Sequence, residues 1–222
     1  MPVRTLCAFA LVLVAANGLA AQTASAPIVK PAGSTSAAKP ASSVNVAGKI
    51  LPVDQQVAAA VLPAPAEHRA TATVFGYDAK GKLGVVRQGT GILNCLAPDP
   101  KNTDFHVACY HKTMEPFMAR GRALRESGVK DPQVDTVRFK EVKEDKIAMP
   151  MQPAVLYTLT GPWAGFDPAT ATPAPKTRPL FVVYIPNATG ASLGITEKPV
   201  VDAPWVMYPG TPKAHIMFVP KM

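Results

Sequence analysis

Apolar residues are spaced in two ways along this 222-residue chain, and the changes between them mark out the elements. From Arg69 to Tyr77 and from Lys82 to Arg87, β-branched and aromatic residues gather in short runs joined by Asp78-Ala-Lys-Gly81, which predicts a hairpin. Gly91 to Leu96 predicts a third strand, running into a loop at Pro98-Asp99-Pro100. Ahead of the hairpin, Asp54 is placed to cap a short helix over 55–62, which Pro63 and Pro65 stop.

The spacing then turns helical. Met114, Phe117, Met118, Gly121 and Leu124 make one stripe, with Thr113 as the expected N-cap, Pro116 in the first turn and Gly128 as the stop. Arg120, Arg122 and Arg125 lie mostly off that stripe. Asp131-Pro132 repeats the opening signal and predicts a second helix to Lys143, with Val134, Val137 and Val142 inward. The charged residues from Arg138 to Lys146 read as its solvated face. Strand spacing returns at 154–160, 180–185 and 215–219, with a surface loop over 161–179 and Trp205 covering an edge of the core. The expected fold class is α+β: a largely antiparallel sheet of five or six strands, with two helices inserted after the third strand.

The first fifty residues follow neither spacing. Arg4 precedes an unbroken apolar run from Leu6 to Ala16, and Gly18-Leu19-Ala20 offers small residues for cleavage, so 1–20 reads as a signal peptide. The run is too short to span ~30 Å of hydrocarbon as a helix, and no later segment reaches that length. Residues 21–49 are Ala, Ser, Pro, Gly and Lys without an aromatic, the composition of a disordered linker. One domain, 50–222, remains. The implied location is the periplasm or the extracellular space of a bacterium.

Composition changes this picture little. The 24 prolines argue against a helical bundle and for long irregular connections. The formal charge of +8 falls by one when 1–20 are removed, and its lysines and arginines are scattered along the chain. Nucleic-acid binders concentrate them in a stripe with interleaved aromatics, so nucleic acid is not an expected partner.

Three runs stand out as motifs: Gly76-Tyr-Asp-Ala-Lys-Gly-Lys82, Gly89-Thr-Gly-Ile-Leu-Asn-Cys95 and Pro209-Gly-Thr-Pro-Lys-Ala-His-Ile-Met217. In these the chain resembles a family of exported bacterial proteins. The resemblance covers most of the ordered chain and implies a single folded unit, and it brings no activity with it.

Candidate chemistry gathers between 95 and 118. Cys95 and Cys109 are the cysteines left after signal cleavage, and export delivers them to an oxidising space, so a disulfide is expected. Closing a loop of that size stabilises by ~3 kcal/mol in the chain-entropy account. The bond is expected to tie the third strand to the turn entering the first inserted helix, with His106 and His111 on a constrained loop. His106, Cys109 and His111, with Met114 and Met118 just beyond, favour copper over zinc. With Cys109 in a disulfide, the metal ligands become His106, His111 and His215, beside Met217. No G-x-S-x-G nucleophile elbow is present, and no residue stands out as catalytic. The leading expectation is a non-catalytic envelope protein that binds a small ligand or an envelope component. A copper-handling protein built on the His106–Met118 region and a hydrolase without a known signature stand as alternatives.

Overall fold

The computed structural model describes residues 46–220, so the expected signal segment and the expected linker, apart from its last four residues, lie outside the described residues. The first of those four already packs. Val46 is buried against a cluster that holds Leu51, Ala59, Phe105 and Phe166, so the core begins ahead of Ile50.

The elements run in the order α1 (Val53–Ala60), a single turn α2 (Ala66–Arg69), β1 (Thr73–Tyr77), β2 (Leu83–Arg87), β3 (Leu93–Leu96) and β4 (Phe105–His111). A 3-10 turn (Lys112–Met114) leads into α3 (Glu115–Glu126) and α4 (Gln133–Lys143). β5 (Ala154–Gly161), β6 (Arg178–Tyr184), the short α5 (Gly190–Leu193), β7 (Trp205–Met207) and β8 (His215–Phe218) complete the chain. All eight strands form one sheet in the order β2-β1-β3-β4-β5-β6-β8-β7. β1 and β3 are parallel; the other neighbours are antiparallel.

This corrects the expected fold class. The sheet is mixed and has eight strands, not five or six, and α3 and α4 are inserted after the fourth strand, not the third. The unforeseen strands are β4 and β7. β4 reads Phe-His-Val-Ala-Cys-Tyr-His and packs on both faces, so it lacks the apolar–polar alternation of a half-exposed strand. β7 is three residues long, and the Trp205 expected to cover an edge is itself in that edge strand. Two N-caps also differ. α3 follows the 3-10 turn, whose cap is the His111 side chain, and α1 starts after Pro52 with Asp54 inside its first turn.

Two layers of helix sandwich the middle of the sheet. On one face, Ala59 and Ala60 of α1 reach Phe105, Val107 and Cys109 of β4, and Phe105 meets the Trp163 and Phe166 rings. Burial of one such ring is worth ~1.5–3 kcal/mol. Gln56, buried on α1, donates to the carbonyls of Leu51 and Tyr77 and accepts from Tyr77 N, which pins the end of β1 (2.8, 2.9 and 2.7 Å). On the opposite face, Met114 and Phe117 lie over Tyr110, Ala154 and Val182, the stripe expected from the sequence.

Cys95 and Cys109 are directly opposite each other in β3 and β4 and are joined by a disulfide. The bond therefore links two adjacent strands, not a strand and the entrance to a helix. The loop 97–104 between those strands is closed beneath it.

Candidate functional site

The side of the sheet that faces α3 is incompletely filled. A hollow of about 250 Å³ is floored by Leu96, Ala108 and Leu156 and walled by Phe117 and Met118 of α3. A larger hollow of about 680 Å³ lies beside it, between the β1–β2 hairpin, the loop 97–104 and the end of α3. They share Leu96, His106, Arg122 and Arg125, so they are the inner and outer lobes of one cleft.

Three local features build the inner lobe. β4 alternates, sending His106, Ala108 and Tyr110 into the cleft while Phe105, Val107 and Cys109 go to the sealed face. On α3, Arg122 and Arg125 stand on the turn above Met118, three residues apart, and so face the same way. The third feature is Gly121. A Cβ there would lie 2.8 Å from Arg138 NH1 and 3.2 Å from Arg125 NH1, so the two guanidinium groups converge on a spot that only a glycine leaves open.

Arg138 is the notable correction. Expected on a solvated face, it is 4% exposed, with its guanidinium 3.9 Å over the Phe117 ring and NH1 donating to Phe117 O at 3.2 Å. NH2 pairs with Asp135, whose other oxygen accepts from Lys213 Nζ at 2.7 Å. Burial pushes the Asp135 carboxyl up, but the hydrogen bonds from Lys213 and Arg138 outweigh that and hold it below its usual range. Arg138 Nε is sealed from solvent and has no protein partner.

At the opposite wall, Tyr110 donates to Glu115 Oε2, and Arg122 donates to Tyr110 Oη at 2.9 Å and to Glu115 Oε1. Asn94 Nδ2 also donates to Glu115, at 3.0 Å. Burial, above all, raises the Tyr110 hydroxyl, which therefore stays protonated. Arg125 uses Nε and NH2 on Asp131, which leaves NH1 directed at Gly121. In each arginine pair the carboxylate engages part of the guanidinium. Among the twelve residues lining the inner lobe are four permanent cations, Arg122, Arg125, Arg138 and Lys213, and no carboxylate.

The outer lobe is polar on more sides. Tyr77 and Lys82 come from the hairpin, where Asp78 Oδ1 accepts from Lys80 N and Lys82 N and Gly81 takes φ 76° to close the turn. Asp99, Lys101 and Asn102 come from the loop, and Trp163 Nε1 anchors that loop by donating to Asn102 O at 3.0 Å.

The three histidines expected to bind copper are placed apart. His106 lies in the cleft, its Nδ1 sharing a 2.7 Å hydrogen bond with Thr160 Oγ1. His111 is five positions along the same strand, hence on the opposite face, and bonds Thr113. His215 is buried on β8 between the Tyr184 and Tyr208 rings, with Nδ1 donating to Lys213 O. Burial lowers the pKa of both His106 and His215. Among the described residues, no three His, Cys, Asp or Glu side chains are grouped to hold a metal ion. Among the described residues, no helix is long and apolar enough to cross a membrane.

Sequence reasoning missed Arg122, Arg125, Arg138 and Lys213. A signal was present: a glycine inside a strong helical stripe marks a close approach, and arginines one and four positions beyond it border that approach. No protein-family model matches this chain, and neither a curated protein nor a solved structure matches it. What fold and cleft define together is an eight-stranded mixed sheet with an arginine-walled hollow between sheet and helices.

Proposed function

We propose that the protein is a non-catalytic binding protein for a small organic anion, seated in the inner lobe. The observation that carries this is the lining itself: four cations and no carboxylate around an apolar floor. Such a site discriminates by charge at its wall and by shape at its floor. Arg122, Arg138 and Lys213 are held by partly buried carboxylate partners, so for these three little ordering is left to be done on binding. The motif residues Tyr77, Lys82 and Lys213 border the cleft, which supports one shared role for the runs that resemble the exported family. The sequence of residues 1–20 supports export, and with it a periplasmic or extracellular ligand.

Titration calorimetry with three monoanions, benzoate, hexanoate and galacturonate, tests the proposal. At least one is expected to bind saturably at one site, and Arg125→Ala is expected to weaken it about tenfold. Raising the salt to 0.5 M should weaken it further, because the rim is partly exposed. Absence of saturable binding by all three overturns the reading.

A further inference from the structure

We infer, resting on the anion-binding reading, that the natural ligand is an acidic oligosaccharide of at least two sugar units, with one carboxylate in each lobe. Size is the first argument. The inner lobe, about 250 Å³, is smaller than the ~300–1,000 Å³ of ordinary small-molecule sites, whereas the outer lobe, about 680 Å³, falls inside that range. Because the lobes share Leu96, His106, Arg122 and Arg125, a ligand anchored in the inner one continues into the outer one.

The chemistry of the two lobes then sets what each part of the ligand must be. Inside, Arg125 NH1 and Lys213 Nζ retain donors beyond their internal pairs and meet a carboxylate. Outside, Lys82 and Lys101 stand among the acceptors Asp99, Asn102 and Glu126. A hydrocarbon tail would strip water from the exposed Asn102 and Glu126 without replacing its hydrogen bonds, and a bare polyanion would be repelled by Asp99 and Glu126. A hydroxylated acid satisfies both sets: hydroxyls donate to the acceptors, while the carboxylate meets the lysines. Leu96, Leu83 and the Tyr77 ring give the C–H faces of the sugar apolar ground. Two linked units gain because the second contact is made within an already bound molecule.

The test uses the full exported chain and four probes: galacturonate, digalacturonate, the alkyl dicarboxylate suberate, and benzoate. Digalacturonate is expected to bind at least tenfold more tightly than galacturonate. The double variant Lys82→Ala/Lys101→Ala, which alters exposed side chains of the outer lobe, should abolish that gain, bringing digalacturonate down to the affinity the same variant has for galacturonate. Suberate should bind more weakly than digalacturonate. If galacturonate binds and digalacturonate binds no better, or suberate matches it, the oligosaccharide inference falls and the anion site stands. If none of the four binds, the oligosaccharide inference falls, and if hexanoate fails as well, the anion reading falls with it.

Discussion

One strand presents two surfaces that could belong to different proteins. Toward α1, β4 offers Phe105, Val107 and Cys109, each with no exposed surface, locked by aromatic contacts and a disulfide. Toward α3 it offers His106, Ala108 and Tyr110, all lining a cleft. A two-residue repeat thus separates stability from binding within seven positions. The difference teaches where change is tolerated: the sealed face takes no loss of volume, and the cleft face takes loss of polarity at a smaller expense to the fold and a larger one to the ligand.

The strongest test removes the ring at the centre of the sealed face. Phe105→Ala should lower unfolding free energy by about 3–5 kcal/mol in urea titrations, while His106→Ala, the adjacent residue on the other face, should change it by less than about 1 kcal/mol. Equal losses would erase the contrast. Next in size is the disulfide. Thiol titration of the denatured, unreduced protein should find Cys95 and Cys109 both blocked, and the double variant Cys95→Ser/Cys109→Ser should lose about 2–4 kcal/mol while keeping its anion affinity. A smaller effect sharpens the cleft side. Tyr110→Phe removes one hydroxyl from the Glu115–Arg122 network and should cost about 1 kcal/mol of stability, with weaker anion binding because Arg122 loses its support.

The smallest effect is in pH. Burial lowers the pKa of His106 and His215, so each is held neutral in the fold and takes up a proton more readily when unfolded. Their contribution is complete above the unfolded value of about 6.5 and is lost as pH falls from there toward the folded value. Stability of the parent should therefore decline on acidification below about pH 6.5. The double variant His106→Gln/His215→Gln should show a shallower decline; an unchanged slope would assign the effect to other groups.

Much of this fold was legible wherever one face of an element meets solvent. The hairpin at 73–77 and 83–87, the α3 stripe and the strands at 154–161, 178–184 and 215–218 sit close to where spacing places them. β4 was illegible for a physical reason: every residue but its two histidines is buried, so no exposed polar alternation marks it, and its histidines and cysteine read as chemistry on a loop. That single omission moved the helix insertion by one strand and gave the disulfide the wrong second anchor. The cleft was harder still. Arg138 is charged and buried, and only the contact of its guanidinium with Phe117, Asp135 and the vacancy at Gly121 tells it from a surface arginine. Those contacts join α3 to α4, a relation that local spacing does not encode.

The loop 97–104 leaves β3 and returns to β4 just beyond the covalent link between those strands, and it carries Asp99, Lys101 and Asn102. Its two ends are therefore held together whatever lies between them. Lengthening such a loop carries only a slow entropic cost, ~0.6 kcal/mol per doubling. The outer wall of the cleft is in effect an interchangeable cartridge clipped into a permanent socket. A lineage, or a library, could rewrite its residues one set after another, and each new wall would be presented on the same unaltered frame.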